Sequence, residues 1–131
     1  MVKQKISVYG AVVKENKVLL LHRIKPDVWE FPGGRIEYGE HPSDTAKREV
    51  EEETSLKVRI DGILGVGSIV RPDEMHEVVI VYKCVPKNGK VGLSPEHSES
   101  KFMSIQEIEK IENLATSVKS VMDVLRKCLG E

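Results

Sequence analysis

Apolar positions along the chain change their period several times, and each change marks an element. Ile6-Ser7-Val8-Tyr9-Gly10-Ala11-Val12-Val13 is β-branched and partly alternating, which predicts a strand. Glu15-Asn16 turns it into a second strand, Val18-Leu19-Leu20-Leu21-His22. A short aromatic piece, Val28-Trp29-Glu30-Phe31, stops at the breaker Pro32-Gly33-Gly34. From Pro42 to Thr54 the period lengthens. Ala46, Val50 and Thr54 fall at i, i+4 and i+8 on one helical stripe, with Ser43 or Asp44 as its cap. Strands are expected again at roughly 57–70 and 77–85, the second an apolar run of the kind covered on both faces. Pro86-Lys87-Asn88-Gly89-Lys90 reads as a turn, Phe102-Met103 as a short strand, and Ser104-Ile105-Gln106-Glu107 as a capped turn. Val118, Val121, Met122, Leu125 and Leu129 place an apolar stripe on a last helix over about 116–129, stopped by Gly130. Strands mixed with two full helices make an α/β layered domain.

A length of 131 residues fits one domain over 1–131. With 40% hydrophobic and 31% charged residues, the composition is that of a globular chain rather than a disordered one. Lys plus Arg number 20 against 21 Asp plus Glu, so the basic excess that nucleic acids or lipid surfaces require is missing, and neither is an expected partner. The longest apolar run, Val78-Val79-Ile80-Val81-Tyr82, falls far short of the ~20 residues that cross a bilayer. Met1-Val2-Lys3-Gln4-Lys5 carries no apolar stretch of the signal-peptide kind, so the expected location is cytoplasmic. Cys84 and Cys128 have no CxxC spacing and indicate neither a disulfide framework nor a zinc site.

Chemistry concentrates between Gly33 and Leu56. Glu49, Glu52 and Glu53 stand at i, i+3 and i+4, inside a sector of roughly 100° that borders the apolar stripe. Clustered carboxylates repel one another, and a divalent cation such as Mg²⁺, which prefers oxygen ligands, would convert that repulsion into attraction. Arg48 reaches Glu52 at i+4 and can orient it. Gly33-Gly34 allows close backbone approach to a ligand, and a carbonyl there adds one more oxygen. A bare run of glutamates is usually a solvated helix face. Here Gly34, Glu40, Arg48, Glu49, Glu52 and Glu53 stand together at set intervals. At a usage near ~7% per residue type, that set arises by chance about once in 10⁵ chains of this size.

Gly34-x5-Glu40-x7-Arg48-Glu49-Val50-x-Glu52-Glu53-x-Ser55-Leu56 resembles the signature of the Nudix (MutT-type) hydrolases. Trp29-Glu30-Phe31-Pro32-Gly33 runs into it as in family members, and Glu96-His97-Ser98-Glu99 before Phe102 is similar to their later acidic loop. One position departs, Ser55, where the family places glycine at the helix end. The resemblance implies a Nudix-type α/β/α sandwich with a mixed central sheet, and hydrolysis of a nucleoside diphosphate linked to another group, nucleoside triphosphates being slightly favoured over ADP-ribose or other sugar nucleotides. It makes Glu49, Glu52 and Glu53, with the Gly33 carbonyl, ligands of Mg²⁺ or Mn²⁺. Glu40 becomes a ligand through water or an acceptor, and Arg48 an orienting group. Glu52, Glu53, Glu96 and Glu99 all stand as candidates for the general base.

Toward the substrate, a small nucleotide, the expected contacts are Gly34 and Arg23, which ends the second strand where relatives place a phosphate-binding base. Trp29 is either a base-stacking residue or core. His22, His41, His76 and His97 lack ligand spacing and are read as ordinary polar positions, and Cys84 as a buried small apolar residue. A homodimer is one expected assembly, since dimers are frequent among similar proteins. Two other classes stay in view: an inactive Nudix module that binds nucleotides as a sensor, supported by Ser55 alone, and a structural domain with a solvated acidic helix.

Overall fold

The computed structural model describes residues 2–130. Its elements run β1 (Lys3–Lys14), β2 (Lys17–Arg23), β3 (Val28–Glu30), β4 (Gly33–Arg35), α1 (Pro42–Thr54), β5 (Val58–Val70), β6 (Met75–Pro86), β7 (His97–Met103), α2 (Ile105–Glu109), α3 (Thr116–Lys119) and α4 (Met122–Cys128). The strands form a sheet ordered β3-β2-β1-β6-β5, with β4 added on β1 and β7 on β2. Only β1 and β6 run parallel, so the sheet is mixed.

Successive side chains of a strand leave on opposite faces, and here both faces are covered. Val8 and Val12 of β1 and Tyr82 and Cys84 of β6 join Leu19, Leu21, Ala46, Val50, Leu56 and Val58 beneath α1. Ala11, Val79 and Val81 join Val18, Leu20, Phe31, Ile108, Val118, Val121 and Leu125 on the other face, under the three short helices. The α/β/α sandwich with a mixed central sheet is therefore observed. The stripe Ala46, Val50, Thr54 is the buried side of α1. That helix packs so closely that a Cβ on Gly10 would lie 2.6 Å from Val50 Cγ2.

Four local expectations are corrected. Gly33-Gly34 does not break the chain but begins β4, pairing antiparallel with Tyr9 and Val8. A Cβ on Gly33 would sit 2.4 Å from the Val8 carbonyl oxygen, so glycine is required there by contact rather than by a turn. The cap of α1 is His41, whose Nδ1 accepts the Ser43 N–H at 3.1 Å, with Pro42 opening the helix; Ser43 and Asp44 lie inside the first turn. β7 takes up His97–Met103 rather than Phe102-Met103 alone, and Ser104 with Glu107 forms a capping box that starts α2. The last helix is divided. Val121 leaves helical geometry at φ −120, ψ 15, where Ser120 and Val121 press on Gly67 and Gly65 of β5. Val118, Val121, Leu125 and Leu129 are nevertheless all buried, so the stripe located the contact face and missed the kink.

Ser55 closes α1 in the left-handed conformation, φ 64, ψ 7, the geometry glycine favours. Its hydroxyl donates to the Gly92 carbonyl at 3.1 Å. Ser55→Ala removes that bond and keeps the strained backbone, whereas Ser55→Gly removes both. The glycine variant is expected to be more stable than the alanine variant by about 1 kcal/mol. Equal thermal unfolding midpoints for the two would show that the backbone there carries no strain.

Candidate active site

One face of α1 carries the acids, but the fold gives each a different environment. Glu53 is 6% exposed, whereas the Glu52 side chain is 57% exposed. Arg48 gathers the others. Its Nε and Nη2 donate to the two oxygens of Glu40 at 2.8 and 3.1 Å, and its Nη1 donates to Glu49 at 2.7 Å. The same Nη1 reaches Glu52 at 3.4 Å, the weaker of its contacts and the one the i+4 spacing pointed to, and lies 3.6 Å from Glu37. Glu40 also accepts the Thr45 hydroxyl at 2.7 Å and the Glu37 N–H at 3.2 Å. Hydrogen bonds from Arg48 and then Thr45 hold its carboxyl down at about 2, and the bond to Glu40 raises Arg48 in turn.

Glu53 is placed against β4, where it accepts the Gly33 N–H at 3.1 Å. A Cβ on Gly34 would meet the Glu49 carboxyl at 2.8 Å, so the missing side chain is the space that Glu49 fills. Burial pushes Glu53 up to about 9, against the pull of the Gly33 N–H. The charge of Glu49, a hydrogen bond shared with it, and the charge of Glu30 push the same way. Glu53 thus favours its neutral form, one helical turn from Glu49.

Such an all-oxygen set with excess negative charge, packed against bare backbone, fits a hard divalent cation, which would take the place of the Glu53 proton. Among the described residues, no three acidic, His or Cys side chains converge as a preformed metal cluster. Arg48 draws Glu40, Glu49 and Glu52 onto itself, while Glu53 turns to the backbone of β4.

A second ionic group borders this one across the sheet. Arg23, at the end of β2, donates through Nε to Glu30 at 2.8 Å, and its Nη2 lies 3.4 Å from Glu96. Glu30 also meets His97 Nε2 at 2.9 Å. Burial alone would lower Arg23, but Glu30 and then Glu96 and Glu53 leave it raised. Arg23 and Glu30 edge a cleft of about 590 Å³ lined also by Lys5, Tyr9, Arg71 and Glu77. Burial, followed by the charges of Glu77, Glu30 and Glu53, pushes Tyr9 up to about 12. The Glu53 carboxyl therefore lies within electrostatic reach of Tyr9 and Arg23 at the cleft.

Not every expected residue reaches it. Trp29 leaves β3 on the side opposite Glu30, stacks obliquely on His22 at 5.2 Å between ring centroids, and lines a separate hollow with Lys101 and Ile111. Glu99, inside β7 and paired with His22, lines that same hollow, whereas Glu96, in the turn before β7, stands at Arg23. Glu30 and His97 were not singled out for this site by the sequence reading. They are 67 positions apart, and no local pattern links them.

A family model described as NUDIX domain matches residues 3–125. A MutT-like protein of Streptomyces ambofaciens is 32% identical over 106 residues, covering 80% of this chain and 67% of that protein. An ADP-ribose pyrophosphatase of Methanocaldococcus jannaschii is 29% identical over 110 residues, covering 81% of this chain and 65% of that protein. The chain thus spans about two thirds of the length of either relative. The crystal structure of a MutT protein from Methanosarcina mazei Go1 superposes with a TM-score of 0.85 at 25% identity, covering 99% of this chain and 98% of that one.

The pH behaviour of Glu53 follows from its environment. Its carboxyl holds a proton up to about 9 in the folded chain and only to its ordinary value of 4.5 when unfolded. Between those values the folded state binds more protons, so the group's contribution is fully present below 4.5 and is lost as pH rises toward 9. In chelator, the wild-type chain should lose up to about 1.4 kcal/mol per pH unit across the upper part of that window. Glu53→Gln keeps an acceptor for the Gly33 N–H and should flatten the curve. Parallel denaturation curves for the two proteins from pH 6 to 9 would contradict a buried, protonated Glu53.

Proposed function

The chain belongs to the Nudix hydrolase family, and on that premise we propose that it is a divalent-metal-dependent pyrophosphohydrolase of nucleoside diphosphate derivatives. The observation that carries this reading is the Glu49–Glu53 pair, buried against Gly33 and Gly34 beside a cleft that can hold a nucleotide. Glu49, Glu52, Glu53 and the Gly33 carbonyl would hold Mg²⁺ or Mn²⁺, with Glu40 alongside. When bound, the cation supplies neutralisation of phosphate charge and polarisation of the P–O bond under attack.

The chain's own groups supply the rest. Arg48 anchors Glu40 and orients Glu49 and Glu52, so the acids are held in place before substrate arrives. Arg23 offers positive charge to a phosphate at the cleft, next to the acids. A carboxylate takes the proton of the attacking water as its oxygen bonds to phosphorus. The anhydride P–O bond breaks, and the displaced phosphate leaves with the electron pair. Glu52 and Glu53 on α1 and Glu96 beside Arg23 are the candidates this reading favours for that role over Glu99, which lines the hollow with Trp29. Nucleoside triphosphates and ADP-ribose both carry the diphosphate that this arrangement addresses, and triphosphates are the first to test. Ser55 caps the C-terminal end of α1 just past Glu53 and removes no acid, so nothing favours an inactive sensor.

With Mg²⁺ or Mn²⁺, the purified chain should hydrolyse at least one of a panel of canonical and oxidised nucleoside triphosphates, ADP-ribose and dinucleoside polyphosphates. Glu52→Gln or Glu53→Gln should lower kcat by about 10²-fold or more. Mg²⁺ should also raise the thermal midpoint of the wild type and not that of Glu53→Gln. Turnover that survives both substitutions would refute the assignment of the site.

The same cytoplasmic, non-membrane reading extends to location. Among the described residues, no helix is long and apolar enough to cross a membrane.

A further inference from the structure

Among the described residues, Glu30 and His97 form the most deeply buried side-chain to side-chain hydrogen bond outside the acid cluster. The His97 side chain has no solvent access, and its Nε2 lies 2.9 Å from Glu30 Oε2, the same oxygen that accepts Arg23 Nε at 2.8 Å. Among the described residues, its other ring nitrogen, Nδ1, is buried with no hydrogen-bond partner. An unsatisfied buried nitrogen costs stability, and an apolar side chain in this place would avoid that cost. Packing alone therefore does not account for a histidine here.

The backbone around it shows what the contact controls. The His97 N–H donates to Ser94 at 3.2 Å, and the Glu96 carbonyl accepts the Ile24 N–H at 3.4 Å. The turn before β7 is thus tied at one side to the end of β2, and through the His97 ring to β3. Glu96, adjacent to His97, is 58% exposed, yet its carboxylate lies 3.4 Å from Arg23 Nη2. An exposed carboxylate on a free turn would gain little from such a pair and would sample many positions. Resting on the hydrolase reading above, we propose that Glu30 and His97 are positioning residues, which clamp this turn to β3 and hold the Glu96 carboxylate beside Arg23 at the mouth of the cleft.

The test is a double-mutant cycle on whichever substrate the wild-type chain turns over. His97→Ala is expected to lower kcat about 10- to 100-fold with KM little changed, since Arg23 keeps its bond to Glu30. In a Glu96→Gln background the same change should cost almost nothing further, because its route to the chemistry is already cut. His97→Gln, whose amide nitrogen can reach Glu30 as Nε2 does, should restore most of the rate. Thermal unfolding of each variant measures the structural cost separately, and if His97→Ala does not fold, Glu30→Gln takes its place in the cycle. Equal losses in both backgrounds, an unchanged kcat in His97→Ala, or failure of a folded His97→Gln to recover rate would each overturn the proposal. Loss of turnover in Glu53→Gln alongside full activity in His97→Ala overturns the clamp alone. Absence of turnover in the wild type overturns the hydrolase reading and the clamp with it.

Discussion

Helix α1 lies so near β1 that no Cβ fits between Gly10 and Val50, and that contact decides where each acid on the helix can go. With Val50 driven into the sheet, Glu49 and Glu53 flank it on the side of β4. There Glu53 and Glu49 meet the backbone of Gly33 and Gly34, with Glu49 also accepting from Arg48. A side chain at either glycine would collide with β1 or with Glu49. Glu53 is therefore buried, and Glu49 partly so, because the apolar stripe is buried. The energy of closing Ala46 and Val50 against the sheet is what confines charge that would otherwise stay in water.

Confinement of that kind needs compensation, and the chain supplies it in two ways. Glu40, Glu49 and Glu52 are drawn to one guanidinium, whose planar fork meets Glu40 through two bonds and Glu49 through a third. Glu53 lies beyond that fork and is satisfied by the Gly33 N–H and by keeping its proton. One site thus holds both an ionised carboxylate, Glu40 just before α1, at about 2, and a protonated carboxyl, Glu53 on the helix, at about 9, set apart by environment. The protonated one is the group whose charge state a bound cation would change. Arg23, at the cleft, plays the part of Arg48 for Glu30 and Glu96.

How much of this was legible in the chain depends on how far apart the partners lie. The helix over Pro42–Thr54, its buried stripe and the sector holding Glu49, Glu52 and Glu53 are properties of neighbours within four residues, and the 3.6-residue period states them directly. The same holds for β6, whose uninterrupted apolar run announced cover on both faces, and for the left-handed position at Ser55. The burial of Val118, Val121 and Leu125 was equally legible, but the break between α3 and α4 was not, because it answers to Gly65 and Gly67 on a strand some fifty residues earlier.

Residue types and their local spacing fixed which groups could serve, and contacts between distant segments decided which of them meet. Gly33 and Gly34 looked like a turn, and β1 made them a strand. Trp29 and Glu99 had suitable chemistry, and strand alternation for Trp29 and the register shift between His22 and Arg23 for Glu99 sent both to a hollow away from Arg23. Glu30 and His97 gave no local sign of pairing until β3 and β7 came to lie on either side of β2. A period records only which side of its own element a residue occupies. Which residue faces it from elsewhere is set by strand order and register, which arise when the whole sheet assembles.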